Sequence, residues 1–254
     1  MIDVDAIARE LHAAFAAGTL FEPPSARVSL DLDGAYAVQR AFNRLRAQRD
    51  PVAGFKAGIN AERAQRALGL DGPVVGALFS SGERRDGATI PRTDYCNLVI
   101  ETELGFRAAR RIDKPLDTLG EVRAATATVA PMFELADPRF GAAAFRGIDM
   151  IAANLACGGF VEGQRRPLDG FDLNDVALRL TRDGTLLHEA RAADLMGDHW
   201  QALRWLVNTV IARGAVIEPG QLLMTGALGP AQPAVPGHYR VDFTTLGNVE
   251  IAVV

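Results

Sequence analysis

Cysteine is nearly absent. Cys96 and Cys157 are the only two in 254 residues, too few for a disulfide framework and in keeping with a reducing compartment. An excess of basic charge is missing too: 27 Lys and Arg stand against 31 Asp and Glu, for a net charge of −4. No surplus exists to neutralise phosphates, so nucleic acid is not an expected partner. There is no long apolar run either. The most apolar stretch, 148–161, is broken by Asp149 and Asn154 and is too short to cross a bilayer. The opening Met1-Ile2-Asp3-Val4-Asp5 is acidic, where a secretory signal needs a basic start and an apolar run. A cytoplasmic protein without membrane attachment is the expectation. Also lacking are a phosphate loop ending in Gly-Lys-Ser/Thr, a dinucleotide fingerprint, a nucleophile elbow and a paired-cysteine zinc motif. His12, His188, His199 and His238 are scattered, none at metal-ligand spacing from another, and read as structural or surface residues. Cys157, among Ala and Gly, reads as a small core residue.

What is present is a composition, 48% hydrophobic and 23% charged, that supports one sizeable core. Residues 3–17 read as a helix capped by Asp3 or Asp5, with Ile7, Leu11 and Phe15 at near-helical spacing and Gly18 stopping it. A second helix is expected over 33–49, ended by Asp50-Pro51. Residues 1–51 thus form a helical N-terminal region, and 52–254 a core in which glycines punctuate short apolar stretches. Strands are expected at 52–57, 74–79, 98–107, 173–181, 222–225, 239–243 and 249–254. Helices are expected near 61–68, 118–125 and 199–213. Strands and helices do not alternate, which favours α+β over a doubly wound sheet.

The segment Leu98–Phe106 contains Glu101-Thr102-Glu103. On a strand, Ile100, Thr102, Leu104 and Phe106 share one face, and the two carboxylates share the other, roughly 7 Å apart along the strand. Carboxylates that close repel unless a cation sits between them, and hard oxygen donors suit Mg²⁺ or Mn²⁺. The alternative is an amphipathic strand with both Glu in water. Glu134 interrupts an apolar strand-like run, Val129–Leu135, where a buried charge needs a partner, and it could complete a three-carboxylate site. Lys56, in Gly54-Phe55-Lys56-Ala57-Gly58, is either a surface lysine at a strand end or a proton carrier whose pKa is lowered beside a metal and a dry wall. Gly226, in Met224-Thr225-Gly226-Ala227-Leu228, indicates close backbone approach to a ligand or a strand.

In this order the segments resemble the 2-keto-4-pentenoate hydratase/4-oxalocrotonate decarboxylase group of the fumarylacetoacetate hydrolase superfamily. The resemblance spans nearly the whole chain. It includes Ala35-Tyr36-Ala37-Val38-Gln39, Gly54–Gly58, Glu101–Phe106, Pro131-Met132-Phe133-Glu134, Asn154 and Leu223–Leu228. It implies a small helical N-terminal region on a mixed β-sandwich or β-roll core. It also implies Mg²⁺ or Mn²⁺ held by Glu101, Glu103 and Glu134, with Lys56 catalytic, and Phe79, Ser80, Thr225 and Gly226 facing a small-molecule 2-oxo acid. The implied reaction is hydration of 2-hydroxypenta-2,4-dienoate to 4-hydroxy-2-oxopentanoate in aromatic-compound catabolism. The alternatives are decarboxylation of 4-oxalocrotonate (2-oxohex-3-enedioate), or a non-catalytic partner subunit of such a complex. Acylpyruvate hydrolysis would want a His-Glu pair, for which there is no candidate. A homo-oligomer is implied, and co-assembly with a related lyase subunit is compatible with it. Members often read Ala-Asp-Asn-Ala-Ser where this chain has Ala152-Ala153-Asn154-Leu155-Ala156; the less polar lining implies a bulkier or less polar 2-oxo acid, or a narrowed activity.

Overall fold

The structure is a computed structural model and describes residues 2–254. Helix α1 (Val4–Ala16) starts at Asp3, whose side chain accepts the Ala6 N–H at 2.9 Å. Helix α2 (Leu32–Ala47) starts at Asp31, which accepts the Gly34 N–H at 2.7 Å. A side-chain oxygen at this position satisfies one of the amides that a first turn leaves without a partner. The chain continues through β1 (Val52–Gly58), α3 (Glu62–Leu68), β2 (Val74–Phe79), β3 (Glu83–Arg84), β4 (Ala88–Ile90) and β5 (Val99–Ala108). Then follow α4 (Leu119–Ala124), β6 (Thr126–Ala136), α5 (Gly147–Ala152), β7 (Cys157–Glu162), β8 (Ala177–Arg182) and β9 (Thr185–Arg191). Helix α6 (His199–Ala212), β10 (Leu222–Met224), β11 (Gln232–Pro233), β12 (Gly237–Phe243) and β13 (Gly247–Val253) complete it.

Two sheets result. One runs β2-β1-β10-β5-β6-β7-β3, with β11 also paired to β5; the other runs β4-β13-β12-β8-β9. Most neighbours are antiparallel, but β1 pairs with β10, β3 with β7 and β13 with β4 in parallel. The architecture is therefore α+β with mixed sheets, as the irregular helix spacing requires.

The expected strands and helices lie close to the observed ones, with two kinds of difference. The strand expected from Leu173 begins only at Ala177, because Asp172 accepts the Asn174 N–H at 3.0 Å and Leu173–Asp175 closes as a 3₁₀ turn. Several elements were not anticipated: β3, β4, β7, β9, β11 and α5. Helix α5 leads into a turn where Asn154, Leu155 and Ala156 all have left-handed φ (56°, 53° and 55°), a conformation that non-glycine residues resist by about 1–2 kcal/mol each.

Gly54 permits the pairing that joins the two ends of the chain. It faces Leu222 across β1 and β10, and a Cβ there would lie 1.9 Å from the Leu222 carbonyl oxygen. The first sheet buries both faces. Ile100, Leu104, Phe106, Phe133, Leu135 and Leu223 join the main core with Ile7, Leu11, Tyr36 and Phe42 of the helical region. Full burial of such side chains contributes about 1.5–3 kcal/mol each. The opposite face carries a smaller apolar cluster of Leu78, Ala130, Met132, Phe160, Leu222 and Met224. Residues 2–51 contain helices and no strand. They are tied down by Ser25, whose N–H and hydroxyl donate to the Asp149 carboxylate at 2.8 and 2.6 Å.

Candidate active site

Strands β5 and β6 place three carboxylates on one face. Their antiparallel register sets Glu101 opposite Glu134 and Glu103 opposite Met132. Side chains alternate along a strand, so Glu101, Glu103 and Glu134 emerge on the face of the small apolar cluster. One carboxylate oxygen from each lies within 4.8 Å of the others. Glu103 and Glu134 are fully buried, and Glu101 is partly exposed at the edge of the group. The amphipathic-strand reading with both Glu in water is therefore overturned: the second sheet face is covered, and Glu103 lies fully buried.

Each buried carboxylate is fixed at one oxygen and free at the other. The Gly226 N–H donates to Glu103 Oε2 at 2.8 Å, while Glu103 Oε1 has no partner among the described residues. Lys56 Nζ donates to Glu134 Oε1, while Glu134 Oε2 has no partner. Burial, then the neighbouring carboxylates, raise Glu103 well above the ordinary carboxylate range, with Lys56 and the Gly226 amide opposing. Glu101 is pushed up to about 7 by burial and by Glu134, against the pull of Lys56. Three acids and one ammonium leave the cluster short of positive charge, and buried acceptor oxygens without partners are costly.

Lys56 is not a surface lysine. It is 3% exposed and paired with Glu134. Burial works to lower its pKa, but Glu134, Cys157 and Glu101 outweigh that and hold the ammonium above its ordinary range. Among these protein groups the direction is opposite to the lowered value expected from the sequence, because the Glu134 carboxylate is in direct contact. Cys157 is buried next to Lys56, and burial pushes its thiol pKa up, with Lys56 opposing.

The four expected substrate-facing residues divide. Thr225 and Gly226 lie in the carboxylate group. A Cβ on Gly226, at φ +109°, would lie 1.6 Å from Asn60 Nδ2, so the close approach read from its sequence is to Asn60 and Glu103. Thr225 is 1% exposed. Phe79 is buried with the Arg46 guanidinium 4.0 Å from its ring centroid. Ser80 is exposed and its hydroxyl donates to the Pro51 carbonyl at 3.1 Å. At the seam with the helical region a cleft is lined by Phe15, Phe42, Arg46, Arg139, Asn154 and Cys157. Asn154 itself is structural: it accepts the Ala77 N–H and donates to the Ala77 carbonyl, both at 2.8 Å, acting as a strand partner for β2.

The sequence reading did not single out Asn60, whose Nδ2 donates to the Thr225 carbonyl at 3.0 Å and whose Oδ1 is buried without a partner. It read His199 as merely structural, although the ring is fully buried against Thr225. No local pattern marks either residue, since their partners lie far along the chain.

The fold matches known structures closely. Over 99% of this chain and 97% of the other, it superposes on 4-oxalocrotonate decarboxylase from Pseudomonas putida G7, complexed with magnesium and adipate, with TM-score 0.91 and 24% identity. A Yersinia pestis CO92 protein of the fumarylacetoacetate hydrolase family is similar over 81% of this chain and 94% of its own, with TM-score 0.61 and 16% identity. These likenesses show the fold, which this chain shares with both structures. In sequence it is 31% identical over 218 residues to 2-keto-4-pentenoate hydratase from Burkholderia vietnamiensis, covering 85% of this chain and 83% of the other. It is 30% identical to 2-hydroxyhexa-2,4-dienoate hydratase from Comamonas testosteroni over 86% and 84%. No family model matches the chain. The chain belongs to the 2-keto-4-pentenoate hydratase family.

Proposed function

We propose that this protein is a divalent-metal-dependent hydratase that converts 2-hydroxypenta-2,4-dienoate to 4-hydroxy-2-oxopentanoate. The observation that carries the metal part is the pair of buried oxygens without partners, Glu103 Oε1 and Glu134 Oε2, in a cluster of three carboxylates with one lysine. A hard divalent cation fits this donor set, with Glu101, Glu103 and Glu134 as its protein ligands. The choice between Mg²⁺ and Mn²⁺ belongs to experiment. Such a cation supplies Lewis-acid stabilisation of the negative charge that develops on a chelated 2-oxo acid.

The chain's own residues supply the rest. Lys56 carries a proton at Nζ beside Glu134 and is the group placed to deliver and recover protons. Ketonisation takes the proton of the substrate's 2-hydroxyl and places one on C5; water then adds across C3 and C4, its oxygen on C4. Leu78, Met132, Phe160, Leu222 and Met224 form a dry wall on the same face, which strengthens every charge interaction there. Similarity to hydratases at 28–31% identity supports hydration ahead of decarboxylation, the activity named for the P. putida G7 neighbour at 24%.

Paired assays test this on purified protein with Mg²⁺ or Mn²⁺. One follows loss of the ultraviolet absorbance of 2-hydroxypenta-2,4-dienoate, the other CO₂ release from 2-oxohex-3-enedioate. Turnover in the first assay, abolished by Glu103→Gln, is the expected outcome. Turnover only in the second replaces the hydratase reading with the decarboxylase one, and silence in both with no metal-induced rise in Tm overturns the enzyme reading.

A further inference from the structure

The peptide unit between Thr225 and Gly226 is gripped at both ends. Its carbonyl accepts from Asn60 Nδ2 at 3.0 Å, and its N–H donates to Glu103 Oε2 at 2.8 Å. What fixes the plane of that peptide is the Thr225 residue behind it. The Thr225 N–H donates to the Leu104 carbonyl at 3.3 Å, and its hydroxyl lies 2.8 Å from His199 Nε2 and 3.2 Å from the Leu104 oxygen.

One hydroxyl hydrogen cannot serve both acceptors, and the ring decides which receives it. His199 Nδ1 is 3.1 Å from the Ala192 carbonyl oxygen, which can only accept. Nδ1 therefore bears the hydrogen. Burial pushes His199 down to about 4, so at neutral pH the ring has a single N–H and Nε2 is an acceptor. The Thr225 hydroxyl must then donate to Nε2, leaving the Leu104 carbonyl to the Thr225 amide. The result is a directed relay: His199 N–H to Ala192, Thr225 O–H to His199, Gly226 N–H to Glu103. His199 and Thr225 are both buried, so neither bond competes with water. The far end of the loop is pinned as well, by the Leu228 N–H donating to the Thr102 carbonyl at 2.7 Å and the Thr102 hydroxyl donating to the Leu228 carbonyl at 2.6 Å.

We infer that His199 is a positioning residue: through Thr225 it holds the Gly226 amide on one oxygen of Glu103, so that the other oxygen is presented to a divalent cation. This rests on the cation reading proposed above. It also gives Thr225 a different role from contact with substrate, since its only hydroxyl hydrogen is committed to the ring. Groups that orient a metal-binding carboxylate typically change metal affinity by 10–100-fold when removed.

The experiment uses the full chain and Mn²⁺ as probe, with affinity read from the electron spin resonance of the free ion. Thr225→Val keeps the shape and removes the hydroxyl; Thr225→Ser keeps the hydroxyl. His199→Leu removes the acceptor; His199→Gln restores one near the Nε2 position. Expected are a 10–100-fold weaker Mn²⁺ affinity for Thr225→Val and His199→Leu, affinity close to wild type for Thr225→Ser and His199→Gln, and a double Val/Leu variant no weaker than the worse single.

A second readout needs no metal. Thr225-Gly226 is the only Thr-Gly dipeptide in the chain, so ¹³C-carbonyl threonine with ¹⁵N-glycine labels that one amide. Its proton resonance should move upfield in His199→Leu and return in His199→Gln. Unchanged Mn²⁺ affinity in Thr225→Val, or an unmoved amide in His199→Leu, overturns the inference. If His199→Leu does not fold, the Thr225 pair decides it. If wild-type protein binds no Mn²⁺, the cation reading fails and the metal-free amide signal alone judges the role of His199.

Discussion

Among the described residues Lys56 is the one cation paired with the buried acid cluster, and its removal should be felt before any chemistry is measured. In Lys56→Met, Glu134 stays buried with no counter-charge, a situation that costs about 3–5 kcal/mol. The expected result is a large fall in Tm of the metal-free protein, partly recovered by Mn²⁺ through mass action, with turnover lost in both conditions. His199 sets an acid limb of stability. Its folded pKa is pushed down to about 4 by burial, against a weaker opposing effect of Asp198, so the unfolded chain takes up a proton near pH 6.5 that the native ring refuses. That contribution is complete above pH 6.5 and drains as pH falls towards 4, by at most about 1.4 kcal/mol per pH unit. Urea titrations between pH 4.5 and 7 should show this slope flattened in His199→Gln. At this scale the sequence was readable where a charge interrupted an apolar run, as at Glu103, Glu134 and Lys56. It was silent for Asn60 and His199, because a side chain's hydrogen-bond partner 165 or 26 residues away leaves no periodic trace.

Among the elements, the turn between α5 and β7 stores conformational cost. Three consecutive left-handed residues, Asn154–Ala156, are held there because Asn154 supplies both hydrogen bonds that β2 needs at Ala77. Asn154→Ala should cost about 1–3 kcal/mol by leaving a buried amide and carbonyl without partners, seen as a lower urea midpoint at unchanged slope. Ala156→Gly should do the opposite and raise the midpoint modestly, since glycine adopts positive φ freely. Gly54→Ala is expected to prevent folding, because a methyl group 1.9 Å from the Leu222 oxygen separates β1 from β10; soluble yield and circular dichroism would show it. Long elements were legible from their period: Asp3 starts α1 as expected, α2 begins at Leu32 beside the expected 33 with Asp31 as a cap the sequence did not announce, and Gly54–Gly58 lies on β1 as expected. The three-residue β10 was placed by its apolar content, whereas β7, α5 and β9 were lost, β7 because its glycines break the pattern. A six-residue helix and an exposed hairpin arm carry too few buried positions to impose a pattern.

At the scale of the whole molecule, the helical region and the strands form one apolar interior. Phe15 of α1 lies beneath the guanidinium groups of both Arg46 and Arg139, at 4.3 and 4.9 Å, and Phe21 packs edge-on to Phe140. We propose that residues 1–51 and 52–254 are regions of one cooperative unit, so that a chain lacking residues 1–22 should lose its sharp thermal transition. The α+β class was legible from the irregular order of helices and strands. The pairing of β1 with β10 was not, since parallel strands whose partners, such as Gly54 and Leu222, lie so far apart in the chain signal nothing to each other locally. That pairing also bears on how the protein is made. The β5–β6 hairpin carrying all three carboxylates leaves the ribosome well before β10 and Gly226 do, and at about 5–20 residues per second the delay is on the order of ten seconds. For that interval the nascent chain exposes a paired acidic ladder with no amide to orient Glu103 and an open sheet edge where β10 will dock. Newborn chains should therefore depend on chaperones, or on early cation capture, far more than the finished fold does.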